Sequence, residues 1–101
     1  MLSCKSSVQL LKKDNVELIS VEHIAADNKR QIDQIFSPKK VDNIINELND
    51  CYQEPLVFKA QYILTILYKS GDRKLVICNG NSIKVDGLTY KINEPVSDII
   101  N

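Results

Sequence analysis

The clearest pattern in the chain runs from Phe58 to Tyr68. Its even positions, Phe58, Ala60, Tyr62, Leu64, Ile66 and Tyr68, are all apolar. Its odd positions, Lys59, Gln61, Ile63, Thr65, Leu67 and Lys69, are mixed. A period of two predicts a strand, here with one face fully buried. One apolar face and one mixed face suit an antiparallel sheet with helices on a single side. Upstream, Val16–Ile24 is rich in β-branched residues and alternates imperfectly, which predicts a strand with a bulge. Ala25 to Lys29 reads as a polar turn, and Arg30 to Phe36 as a second, weaker strand.

The pattern changes period after Phe36. Val41, Ile44, Ile45 and Leu48 recur at i, i+3, i+4 and i+7, which is one stripe of a helix. Ser37 is placed to cap its start and Pro38 to fill its first position, where a missing N–H costs nothing. Tyr52 extends the stripe, and Pro55 closes the helix from beyond its end. Near the C-terminus, Val96, Ile99 and Ile100 fit one short helical turn that docks on the core.

Three turn signals follow the long strand: Ser70-Gly71-Asp72, Asn79-Gly80-Asn81 and Asp86-Gly87. Asn-Gly and Asp-Gly supply the positive φ that tight hairpins need. A two-residue Asp86-Gly87 turn pairs Val85 with Leu88 and Ile83 with Tyr90, all on one side. A two-residue turn at 70–71 or 71–72 puts Leu75 and Ile77 on the side of Leu64 and Ile66. A three-residue loop at 79–81 then pairs Ile77 with Ile83. The expected fold is α+β, in the order β-β-α-β-β-β-β plus a short C-terminal helical turn. Its last four strands, roughly 57–69, 73–78, 82–86 and 88–92, form a meander packed on the helix. Residues 1–14 read as a tether or loosely docked segment, and 15–101 as one domain.

This register places Ile63, Leu67, Val76 and Cys78 on the sheet face away from the core. Three explanations are open for that stripe: cover by the tail or the first strand, partial exposure, or a partner surface. It also sets Cys78 and Cys51 on different faces, so the two should not be bonded.

Composition adds bounds. The chain has 101 residues, 44 % of them hydrophobic and 26 % charged, which is one ordinary globular domain. Thirteen basic residues balance thirteen acidic ones. That balance argues against a nucleic-acid binder, and the pairs Lys12-Lys13, Lys29-Arg30 and Lys39-Lys40 are too short to reverse it. Cys4, Cys51 and Cys78 are irregularly spaced and form neither a disulfide framework nor a zinc motif. His23 has no second ligand at metal spacing, and no nucleophile has a base in recognisable register. The three glycines all fall in hairpin turns, so no loop cradles phosphate. No catalytic residue, cofactor site or metal site is expected.

Met1-Leu2-Ser3-Cys4 resembles the end of a bacterial lipobox, with Met where the motif carries Leu. Cys4 is therefore a candidate lipidation site, followed by a polar Lys5-Ser6-Ser7 tether. A wider resemblance runs from Phe36 to Ile92. It is carried by Ile44-Ile45 with Leu48-Asn49, by Tyr62 to Ile66 with Tyr68 and Gly71, and by Asn79-Gly80, Ile83-Lys84-Val85, Gly87, Tyr90 and Ile92. This arrangement resembles small secreted or lipid-anchored bacterial domains of unknown function. The resemblance implies an extracytoplasmic setting, membrane attachment through Cys4, and no known activity. The expectation is a non-enzymatic cell-envelope module that binds a protein or another ligand. The alternative is a small cytosolic inhibitor or immunity-type protein that blocks a partner.

Overall fold

The structure, a computed structural model, describes residues 11–24 and 30–100. Among them are seven strands and two helices. They are β1 (Val16–Ile24), β2 (Arg30–Ile35), α1 (Pro38–Asn49), β3 (Cys51–Gln53), β4 (Tyr62–Tyr68), β5 (Arg73–Asn79), β6 (Ser82–Val85), β7 (Leu88–Ile92) and α2 (Val96–Ile100). All strands join one antiparallel sheet in the order β2-β1-β4-β5-β6-β7-β3. The α+β class, the meander β4 to β7 and the docking tail are as expected from sequence. The bulge in β1 is also present, as a register shift between Val16 and Leu18.

Helix α1 buries Val41, Ile44, Ile45 and Leu48, the stripe read from the spacing. Pro38 sits at its start, but the Ser37 side chain makes no cap bond. Only the Ser37 carbonyl takes part, accepting the N–H of Val41. The helix ends at Asp50, whose N–H reaches the carbonyls of Asn46 and Glu47. The chain then turns at once into β3, a strand the sequence did not reveal. Cys51 pairs with Ile92 and Gln53 with Tyr90, so Tyr52 belongs to an edge strand and not to the helical stripe.

From the β3 edge, the chain must return to β4 in the middle of the sheet. Residues 54–61 make that crossing, which is why β4 starts at Tyr62 and not near residue 57. The crossing is pinned at several points. Leu56 N–H donates to Thr89 Oγ1 (3.0 Å), and Thr89 Oγ1 donates to the Glu54 carbonyl. Further on, Asn79 Nδ2 donates to the Lys59 carbonyl (2.8 Å).

The register of β5 differs from expectation by one residue. Leu64 pairs with Val76 and Tyr62 with Cys78. The first hairpin has a three-residue loop, 69–71, in which Gly71 N–H returns to the Tyr68 carbonyl at 2.9 Å. Gly71 has φ +95, the left-handed conformation that closes such loops with a bulge. The second loop has two residues, Gly80 and Asn81, between paired Asn79 and Ser82. The first loop is one residue longer than expected and the second one shorter. The two differences cancel, so β6 and β7 keep their expected faces, and Val85↔Leu88 and Ile83↔Tyr90 are observed. Asp86 (φ 53) and Gly87 (φ 83) form the turn between them.

One face of the sheet carries the core. Ile19, Val21, Leu64, Ile66, Val76, Cys78, Ile83, Val85 and Ile92 meet the α1 stripe and Val96 of α2. Leu11 joins this core, held by Asn49. The Asn49 side chain accepts the Leu11 N–H (2.8 Å) and donates to its carbonyl (3.0 Å), as a strand neighbour would.

Candidate functional site

The four residues expected to share the second face do not stay together. Val76 and Cys78 lie in the core at 0 % exposure, because the longer first loop turns them inward. Ile63 and Leu67 remain on the face away from both helices and are half-buried. The tail does not cover that face, since Val96 of α2 packs into the core on the opposite side.

The open face can be built row by row from the pairings. In one row, Glu22 pairs with Ile63, Ile63 with Ile77, and Ile77 with Lys84. In the middle row, Ser20 pairs with Thr65 and Thr65 with Leu75. In the third, Leu18 pairs with Leu67 and Leu67 with Arg73. Leu18, Ile63, Leu67, Leu75 and Ile77 therefore surround Thr65 as one apolar patch. Leu75 is 55 % exposed. Farther out on β2, Ile32, opposite Glu22, is 61 % exposed. The crossing segment borders the patch on the β6–β7 side. Its anchors, Thr89 and Asn79, are both on this face, and Ser82 on the same face is buried. The odd face of β4 was legible in sequence. Leu75 and Leu18 were not found, because each needs the correct loop length or bulge to be assigned a face.

Among the described residues, chemistry-bearing groups do not converge elsewhere. A shallow depression of about 740 Å³ lies at the β4–β5 hairpin, among Lys12, Asn15, Tyr68, Ser70, Arg73 and Lys74. Two of its charged groups are engaged locally: the Ser70 hydroxyl donates to Asp72, and Lys74 holds Asp86 at 2.7 Å. The Tyr68 hydroxyl donates to the Lys12 carbonyl, and burial pushes its pKa above the ordinary phenol value. His23 stacks on Tyr62 with ring centroids 4.7 Å apart, a packing role. Among the described residues, no group of three His, Cys, Asp or Glu side chains has metal-binding geometry.

The cysteines have distinct environments. Cys78 is a free, buried thiol, and burial pushes its pKa up to about 12. A thiol held neutral in this way is a poor nucleophile near pH 7. Cys51 is buried and disulfide-bonded. Cys51 and Cys78 are not bonded to each other, as expected, but the reason given by sequence is corrected: both lie on the core face. Cys4 falls outside the described residues.

No protein-family model matches this chain, and no curated protein or solved structure matches it.

Proposed function

We propose that this chain is a non-enzymatic interaction module of the bacterial cell envelope, and that its working surface is the open sheet face. The observation that carries the proposal is the apolar patch around Thr65, which neither helix covers. A contiguous apolar surface on a small domain usually has an occupant. The disulfide at Cys51 supports the compartment, because structural disulfides persist in oxidising environments and are rare in the cytosol. The lipobox-like start adds a candidate attachment through Cys4. A single acyl chain holds a protein to a membrane only weakly, so stable anchoring needs more than one.

Lipid and disulfide compete for sulfur. With Cys78 free, Cys4 is the one other cysteine of the chain, so a thioether at Cys4 and an intrachain disulfide at Cys51 exclude each other. Expression from the natural gene, acid quenching of the cells and alkylation under denaturing, non-reducing conditions separates the alternatives. The proposal expects Cys78 to be alkylated and Cys51 protected. The intact mass then reports whether Cys4 carries lipid. Alkylation of all three cysteines overturns the envelope reading and favours the cytosolic inhibitor.

A further inference from the structure

We infer that the open face takes an extended acidic polypeptide segment of the pattern acid-x-apolar-x-acid. This inference rests on the open face being the working surface. Each outer row of the patch is bordered by a cation on the same side. Ile77 is followed by Lys84, and Leu67 by Arg73. Both cations are exposed, and neither is in an ion pair among the described residues. The acid on these rows, Glu22, sits at the opposite corner on β1. Among the described side chains, the β5–β6 side of the patch is therefore the positive one.

The spacing of the two cations defines the ligand. Their rows lie four residues apart along β5, Ile77 to Arg73, which is about 13 Å at the rise of a strand. Leu75 lies between them and is the most exposed residue of the patch. An extended chain has the same rise and turns every second side chain to one face. Acids at i and i+4 then reach Lys84 and Arg73, while an apolar residue at i+2 rests on Leu75. Ile63, Leu67 and Ile77 are half-buried and only Leu75 stands mostly exposed, which suits a polypeptide laid across the strands better than insertion among acyl chains.

Fluorescence anisotropy with labelled nonapeptides tests the inference. One peptide centres on Glu-Thr-Leu-Thr-Glu, a second replaces both Glu by Lys, and a third places the two Glu side by side. The full chain should bind the first at least about tenfold more tightly than the other two. The double variant Arg73→Glu, Lys84→Glu should reverse the preference toward the Lys peptide. Leu75→Asp, at a mostly exposed position, should abolish binding with an unchanged circular dichroism spectrum. Equal affinity for the three peptides, still lost in Leu75→Asp, overturns the acidic pattern and leaves the face as a binding surface. Binding that Leu75→Asp does not touch overturns both. Sedimentation with phosphatidylglycerol vesicles, lost in Leu75→Asp, together with no peptide binding up to about 1 mM, assigns the face to lipid and overturns the inference.

Discussion

The two faces of this sheet are made of similar side chains and differ in what rests on them. On the covered face, Leu64, Ile66 and Val76 are at 0 % exposure beneath α1 and α2. On the open face, Ile63, Leu67 and Ile77 are half-buried, and Leu75 is mostly exposed. Strand β5 makes the contrast within four residues, because Leu75, Val76, Ile77 and Cys78 are all apolar. Hydrophobicity does not decide which of them is core; the helices do, by docking where α1 and α2 present Val41, Ile44, Ile45, Leu48 and Val96. A face that neither α1 nor α2 covers keeps its apolar groups partly hydrated, at a cost of up to about 1.5–3 kcal/mol for a fully exposed large side chain. That standing cost is what a partner on the open face would remove.

Truncation should separate the faces most sharply. Leu64→Ala removes atoms from the centre of the covered face and leaves a cavity, which costs about 2–5 kcal/mol in urea-unfolding experiments. Leu67→Ala, on the same strand but the open face, should cost less than half as much. Equal losses would mean that the open face is covered in solution. A smaller but clear effect is expected at the edge of the core. Asn49→Ala deletes both hydrogen bonds that hold the Leu11 backbone and should cost about 1–3 kcal/mol. Hydrogen exchange at the Leu11 amide should accelerate in the same variant.

The elements with a single consistent period were readable from sequence. The α1 stripe is a long 3.6-residue pattern, and Asp86-Gly87 admits only one loop that keeps Ile83 and Tyr90 together. Strand β5 was not readable for a physical reason. A strand that is apolar on both faces accepts a one-residue slip without exposing any more hydrophobic surface in the pattern. The deciding information was the three-residue loop closed by Gly71, whose glycine also fits a two-residue turn. Strand β3 was missed because Cys51–Gln53 has no period of its own and exists only through its pairing with β7. For the candidate site, Ile63 and Leu67 could be placed from the alternation of β4. Lys84 keeps its expected face, but its place beside Ile77, and the faces of Arg73 and Leu75, could be fixed only once the two loop lengths were known.

Alkaline titration probes the covered face from inside. The Cys78 thiol has an ordinary pKa of 9.0 when unfolded and about 12 when buried. Above pH 9 the unfolded chain releases this proton and the folded chain retains it, so the unfolded state gains stability as pH rises. Folding stability is fully present below pH 9 and falls through the window up to pH 12, by roughly 1.4 kcal/mol per pH unit once the unfolded thiol is ionised. Near pH 10 the loss should be on the order of 1 kcal/mol. Cys78→Ala lowers stability at neutral pH by leaving a small void, but its decline above pH 9 should be shallower by that amount. Identical alkaline limbs in the two proteins would place Cys78 in contact with water, and so on the wrong face.

The smallest expected effect is the most informative about the open face. Leu75→Thr keeps a residue that suits a strand, removes an exposed apolar side chain and touches none of the core. Its unfolding free energy should lie within about 0.5 kcal/mol of the parent, as for most exposed substitutions. A residue selected for stability should not be so dispensable, whereas one placed for contact with a partner can be. A loss of 2 kcal/mol or more would be the size typical of core truncation, on the order expected for a buried leucine. It would show that Leu75 is covered within the folded chain, and the contrast between the two faces would fail at the position where it is drawn most strongly.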